Sequence, residues 1–215
     1  MRKNTKDTIE FLEDYCRFGK NRVYVLLGVA RKKYNPELSH NSEIVYRKVI
    51  KNKKDIKRKY RELCGMIDKT DKFFYTYITA NARNTIKTAF NFNNRMNEWF
   101  KHMYFGDKNQ IPKLKKIDSE WVSELQRPHN RDDNYFLFDI DSKQATRIKQ
   151  FKNELYRLHL QQTTEVIVWR ETKNGFHAVT KPFNFNKELD LDKYEDIDLE
   201  TDNLLFLETR GDIDE

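Results

Sequence analysis

Along the second half of the chain, apolar residues fall into short runs with readable periods. Residues 135–140 (YFLFDI) are a dense aromatic and aliphatic stretch and predict a strand. Residues 142–160 place Ile148, Phe151, Leu155 and Leu158 on one face and predict a helix. Residues 166–171 predict a second strand, Asn174-Gly175 a tight hairpin turn, and residues 176–180 the returning strand. A short helix over 185–194 and one more strand within 197–207 complete the pattern. The order β-α-β-β-α-β predicts an RRM-like or palm-like α/β sandwich.

The first half is less regular. Residues 5–18 and 53–67 predict amphipathic helices, the latter with Ile56, Tyr60, Leu63 and Ile67 on one side. Residues 43–50 and 73–79 predict strands, and Tyr75 and Tyr77 on the latter are expected chiefly in the core. Residues 23–30 are an unbroken apolar run that periodicity does not resolve, and we read them as helix. Residues 82–104 predict a long helix with Ile86, Ala89, Phe90, Met96, Phe100 and Met103 inward, and 119–125 a short one. The expected class is α+β: a mainly helical, partly stranded unit over residues 1–118, packed against an RRM-like unit over 119–215.

Composition narrows the function classes. Hydrophobic residues are 38% and charged residues 35%, but 15 Phe, 11 Tyr and 3 Trp supply a core. Six Gly and four Pro exclude collagen-like and linker-like chains. No apolar run approaches bilayer-spanning length, so no membrane partner is expected. Residues 1–14 lack a hydrophobic signal segment, and two cysteines make no disulfide framework, so a cytoplasmic, reducing setting is expected. The net charge of +7 is unevenly spread: residues 1–100 hold 23 basic and 11 acidic side chains, residues 151–215 hold 8 and 15. A basic front suggests a polyanion surface, with Arg47, Lys48, Lys53, Lys54, Lys57, Arg58 and Arg83 as its candidate contacts. A solvated helix face is the competing reading of the run over 48–61.

Three positions carry candidate chemistry. Asp139 and Asp141 lie two apart on a strand, hence on one face, where their charges repel unless a cation lies between them. Such pairs hold Mg²⁺ or Mn²⁺, which in turn clamp a triphosphate. His177, on the hairpin strand, is placed to reach a nucleotide phosphate if that strand neighbours the Asp139 strand. Asp198, with Asp202 in reserve, would add a third acid. Arg170 and Lys173 are nearby cations for a nucleotide.

Phe138-Asp139-Ile140-Asp141, then Gly175-Phe176-His177, then Ile197-Asp198 before Leu204-Leu205-Phe206-Leu207, resembles the archaeo-eukaryotic primase superfamily, whose pattern is hDhD, S-x-H and h-D. The resemblance covers residues 135–207 and implies a primase-like palm, with Asp139, Asp141 and Asp198 as ligands of two divalent metals and His177 on the incoming nucleotide. It implies a DNA primase or polymerase that makes or extends a primer on single-stranded DNA or RNA from nucleoside triphosphates. The chain then reads as a minimal, phage-like form that works with a helicase or other replication protein. One departure stands out: the serine of S-x-H is Gly175 here.

Two other function classes fit parts of the sequence. Asp139 with Glu171-Thr172-Lys173 has the D…ExK form of a metal-dependent nuclease. An RRM-like sheet with basic helices could also bind single-stranded nucleic acid, as a replication protein, without catalysis.

Overall fold

A computed structural model describes residues 5–39, 43–142 and 144–211. The chain opens with α1 (Thr5–Tyr15), β1 (Arg22–Arg31), β2 (Glu43–Ile50), α2 (Asp55–Ile67), β3 (Phe74–Thr79) and the two-residue β4 (Arg83–Asn84). A helical excursion follows: α3 (Thr85–Tyr104), α4 (Ile111–Leu114) and α5 (Ile117–Leu125). Then come β5 (Phe136–Ile140), α6 (Ala145–Leu160), β6 (Val166–Glu171), β7 (Phe176–Thr180), α7 (Phe185–Glu188), β8 (Ile197–Glu200) and β9 (Leu204–Arg210). The class is α+β, built on two antiparallel sheets.

The first sheet has the order β2-β1-β3-β9, with β4 pairing the start of β1. β1 is a strand, not the helix expected over 23–30. It is central and buried along nearly its whole length, so both of its faces are apolar and no period of two shows in the sequence. One face packs on α1 and α2, which contribute Leu12, Ile56, Tyr60, Leu63 and Ile67. The other carries Val23, Val25, Leu27 and Val29 beneath Leu125 of α5. Each such fully buried aliphatic side chain contributes about 1.5–3 kcal/mol of transfer free energy. With four strands from the chain's first half, this unit is more stranded than expected.

The second sheet has the order β6-β7-β5-β8. Its back is covered by α6 through Phe151, Leu155 and Leu158, which meet Phe138, Ile140 and Ala178. The segment expected as one strand over 197–207 is two strands in different sheets: β8 pairs β5, whereas β9 crosses back to pair β3. The chain therefore does not divide into sheets at residue 118. Two short turns, α7 and a 3₁₀ turn at Leu191–Lys193, stand where a helix over 185–194 was expected.

One further expectation is corrected. α3 turns Thr88, Phe92 and Trp99 inward and leaves Ile86, Phe90 and Phe100 exposed. The reason is its contact with α5, where Phe92 meets Trp121 at 5.4 Å and Arg95 bonds Glu120 at 3.0 Å. The basic run 48–61 is shared between the strand expected over 43–50 and the helix expected over 53–67. It spans the end of β2, a turn and α2, whose buried stripe faces the core.

Candidate active site

The register of the second sheet sets out a row of four residues on one face. Arg170 of β6 pairs with His177 of β7, His177 with Asp139 of β5, and Asp139 with Asp198 of β8. Directly opposite residues in antiparallel strands share a face, and Asp141, two beyond Asp139, lies on that face at the end of β5. Three carboxylates and an imidazole drawn from three separate stretches of sequence are thus gathered. Partial burial, then the charges of Asp139 and Asp198, raise the Asp141 carboxyl above its usual range.

His177 is buried and bonded at both ring nitrogens. Nδ1 accepts the backbone N–H of Phe206 at 3.2 Å, and Nε2 lies 3.2 Å from Asp139 Oδ1. With Nδ1 as acceptor, the neutral ring carries its proton on Nε2, facing Asp139. Arg170 is also buried. It donates to the Leu207 carbonyl at 2.6 Å, stacks at 4.0 Å over Phe11, and burial lowers its pKa to about 10. These two side chains fasten the second sheet to the backbone of β9 in the first. Arg170 is a joint of the fold and does not line the cleft described next.

Between the sheets lies a cleft of about 300 Å³. Asp139, Asp141 and His177 form one wall; Tyr75, Tyr77 and Phe206 form the other; Arg31, Lys33 and Lys173 stand at its margin. The alternation of β3 sends Phe74 and Ile78 into the core below α1 and α2, and Tyr75 and Tyr77 to the cleft. Tyr77 lies 6.0 Å from Phe206, ring to ring. Burial pushes the Tyr75 hydroxyl up, and the Tyr34 phenol, its ring 5.1 Å away, is lowered first by its hydrogen bonding with Tyr75. Lys173 reaches across from the β6–β7 turn, its ammonium 4.6 Å from the Tyr34 ring and 5.2 Å from Phe73. Sequence reasoning missed Arg31, Lys33, Tyr34 and Phe206; Tyr75 is buried with Phe73 and Phe206 as expected of a core position, and it also faces the cleft. The strict alternation of FYTYIT is the signal that separates the two faces.

The turn before His177 runs tight against the end of β5. A Cβ on Gly175 would overlap the Ile140 carbonyl oxygen, so serine does not fit here as the strands stand. Glycine is required by this close approach and not by backbone handedness, since Gly175 is absent from the positive-φ glycines.

Other sequence candidates lie elsewhere. Asp202 is buried, bonded to Arg83 Nη1 at 2.7 Å and to Asn81 at 3.3 Å, and Arg83 is itself buried. Both are committed to the core, which removes Asp202 as a metal ligand and Arg83 as a surface contact. Lys53, Lys54, Lys57 and Arg58 are exposed, but Arg58 is paired with Asp55 and Glu62 at 2.7 Å each. Lys48 lies 3.5 Å from Glu62, and Arg47 donates to Gln126 at 2.7 Å. Glu171 follows Arg170 along β6 and so sits on the sheet face opposite Asp139. The Asp139…Glu171-x-Lys173 set is therefore split between two faces. Cys16 and Cys64 are free and buried, and burial pushes the Cys64 thiol up to about 11.

Among the described residues no group of three or more His, Cys, Asp and Glu forms a ready-made metal cage. The donor set does suit a hard cation: carboxylate oxygens on one face, mutually repelling, with no thiolate among them. No helix of the described residues is long and apolar enough to cross a membrane. No family model, curated protein or solved structure matches the chain.

Proposed function

We propose that the cleft is a nucleotidyl-transfer site that makes or extends a primer on a single-stranded template. The observation that carries this reading is the pairing of Asp139 and Asp141 with a wall of Tyr75, Tyr77 and Phe206 across one cleft margined by Arg31, Lys33 and Lys173. A nucleoside triphosphate needs those three surfaces: rings for its base, cations for its phosphates, and a carboxylate pair for the divalent ions it carries. The strand order β6-β7-β5-β8, with the Asp139 strand between those of His177 and Asp198, is the order of a split β-α-β sheet. It supports the likeness to primases drawn from the sequence.

The chemistry divides among named groups. Asp139 and Asp141, with Asp198 on the neighbouring strand, would hold Mg²⁺ or Mn²⁺, which when bound neutralises triphosphate charge and acidifies an attacking hydroxyl. His177, its Nδ1 occupied by Phe206, directs Nε2–H at Asp139, and would offer it to a phosphate oxygen once the Asp139 carboxylate turned to a cation. Lys33 and Lys173 add positive charge where the leaving phosphates collect. The aromatic wall orients the base and excludes water. A helicase or another replication protein remains the expected partner.

The test is incorporation of labelled nucleotides on single-stranded DNA, with Mg²⁺ or Mn²⁺, with and without a primer. Product that lengthens with time and falls by about a hundredfold or more in Asp139→Asn and Asp141→Asn supports the reading. Full incorporation by either variant removes the assignment. A template that shortens, in a carboxylate-dependent way, makes the protein a nuclease instead.

A further inference from the structure

We infer that the outward face of α3 is a docking surface for single-stranded nucleic acid. The helix packs on α5, on the segments at 108–110 and 128–130, and on β4 before it. Its inner stripe is complete: Phe92 packs against Trp99 and Trp121, and Arg95 reaches Glu120 and Glu124. The opposite stripe, at helical spacing, reads Ile86, Phe90, Asn93, Asn97, Phe100 and Tyr104. Phe90 is 67% exposed and Tyr104 86%, and the chain continues into Phe105 at 76%. Scattered exposed apolar residues need no explanation, but aligned rings along one helix face are a surface made for contact.

The chemistry around the rings identifies what contacts them. Between residues 85 and 117 there are seven Lys or Arg and two Asp or Glu. Lys101, Lys115 and Lys116 are exposed and carry no ion pair among the described residues. Glu98 is the one carboxylate on α3. Two amides, Asn93 and Asn97, sit between the rings; an apolar partner would bury them unpaired, whereas base edges and phosphates supply partners. A second copy would bring the same positive excess face to face with itself. A single strand answers every group at once: bases stack on rings, phosphates meet lysines, and amides bond either. This surface is separate from α2, where Arg58 and Lys59 are paired with acids of the same helix, and it rests on the reading that the protein acts on single-stranded nucleic acid.

The experiment is fluorescence anisotropy of a labelled oligothymidylate across a salt series. It compares the wild type, the triple variant Phe90→Ala/Phe100→Ala/Tyr104→Ala, and Lys101→Ala/Lys115→Ala/Lys116→Ala. The ring variant is expected to bind at least about tenfold more weakly with an unchanged salt slope, because rings release no counterions. The lysine variant is expected to flatten the slope by about two. All six positions are exposed, so thermal melting should be unaltered. Unchanged affinity in the ring variant overturns the inference. So does a wild-type dimer, seen by sedimentation, that the ring variant converts to monomer without losing DNA affinity, since the face then belongs to a second copy. Asp139→Asn separates the two proposals. Ring-dependent binding with no incorporation by the wild type keeps this surface and removes nucleotidyl transfer. Incorporation with ring-independent binding does the reverse.

Discussion

His177 accepts the backbone N–H of Phe206 at 3.2 Å, so a side chain of the second sheet completes the hydrogen bonding of a strand in the first. The same ring turns Nε2 toward Asp139. Two substitutions separate these duties. His177→Ala strands a buried N–H and is expected to lower stability by about 1–3 kcal/mol, read as a urea midpoint at constant m-value. His177→Asn restores an acceptor near the Nδ1 position and is expected to recover most of that loss. Nucleotide affinity should fall in both. An asparagine variant as unstable as the alanine one would show that the Phe206 bond is not what His177 contributes.

Gly175→Ser, which would restore the primase-like S-x-H, is expected to weaken the fold. Its Cβ meets the Ile140 carbonyl, a backbone atom that cannot swing aside. Overpacking of this kind costs about 1–3 kcal/mol, and a rigid neighbour puts it at the upper end. A melting temperature equal to the wild type would mean that the turn moves freely.

Asp198 and Asp202 should respond in opposite ways. Asp202→Asn leaves the buried Arg83 guanidinium without its counter-charge and is expected to cost about 3–5 kcal/mol. Asp198 is exposed, so Asp198→Asn should leave the melting temperature near that of the wild type and lower incorporation. Paired melting and incorporation measurements on the two variants decide the assignment.

Acid should loosen the helical excursion first through Glu124. Burial works to raise this carboxyl, but hydrogen bonds from His129 and Asn130 and the charge of Arg127 outweigh it and hold it below the usual range. A depressed folded pKa means stability that is complete above the unfolded value, near about 4.3, and is lost as pH falls through the folded one. Glu124→Gln is expected to be less stable at neutral pH and to show a flatter decline below about pH 4. Urea midpoints across that range give the comparison.

The second sheet was largely legible because its signals are local. Asn174-Gly175 marks the hairpin, β6 and β7 begin and end where predicted, and α6 shows a clear apolar stripe. β1 was not legible, because a strand buried on both faces carries no alternation. The inner face of α3 was obscured because its most apolar stripe is the exposed one, while Thr88 and Arg95 serve the packed side. Of the candidate site, the Asp139–Asp141 pair and His177 could be read from spacing alone. Phe206 reaches the cleft through the pairing of β9 with β3, and Arg31 and Tyr34 through the placing of β1 beside β3, none of which a local pattern encodes.

The return of β9 to the first sheet has a kinetic consequence. Thr76 bonds the carbonyl of Glu208 across 132 positions, and Thr8 bonds the Glu208 side chain across 200. Loops of that length must close before any contact across them stabilises the chain, so folding is governed by a late, non-local step. Each half made alone would hold an unfinished sheet or an unpaired strand. The cleft therefore draws on both ends of the chain, and its first-sheet wall depends on the pairing that brings Thr76 to Glu208.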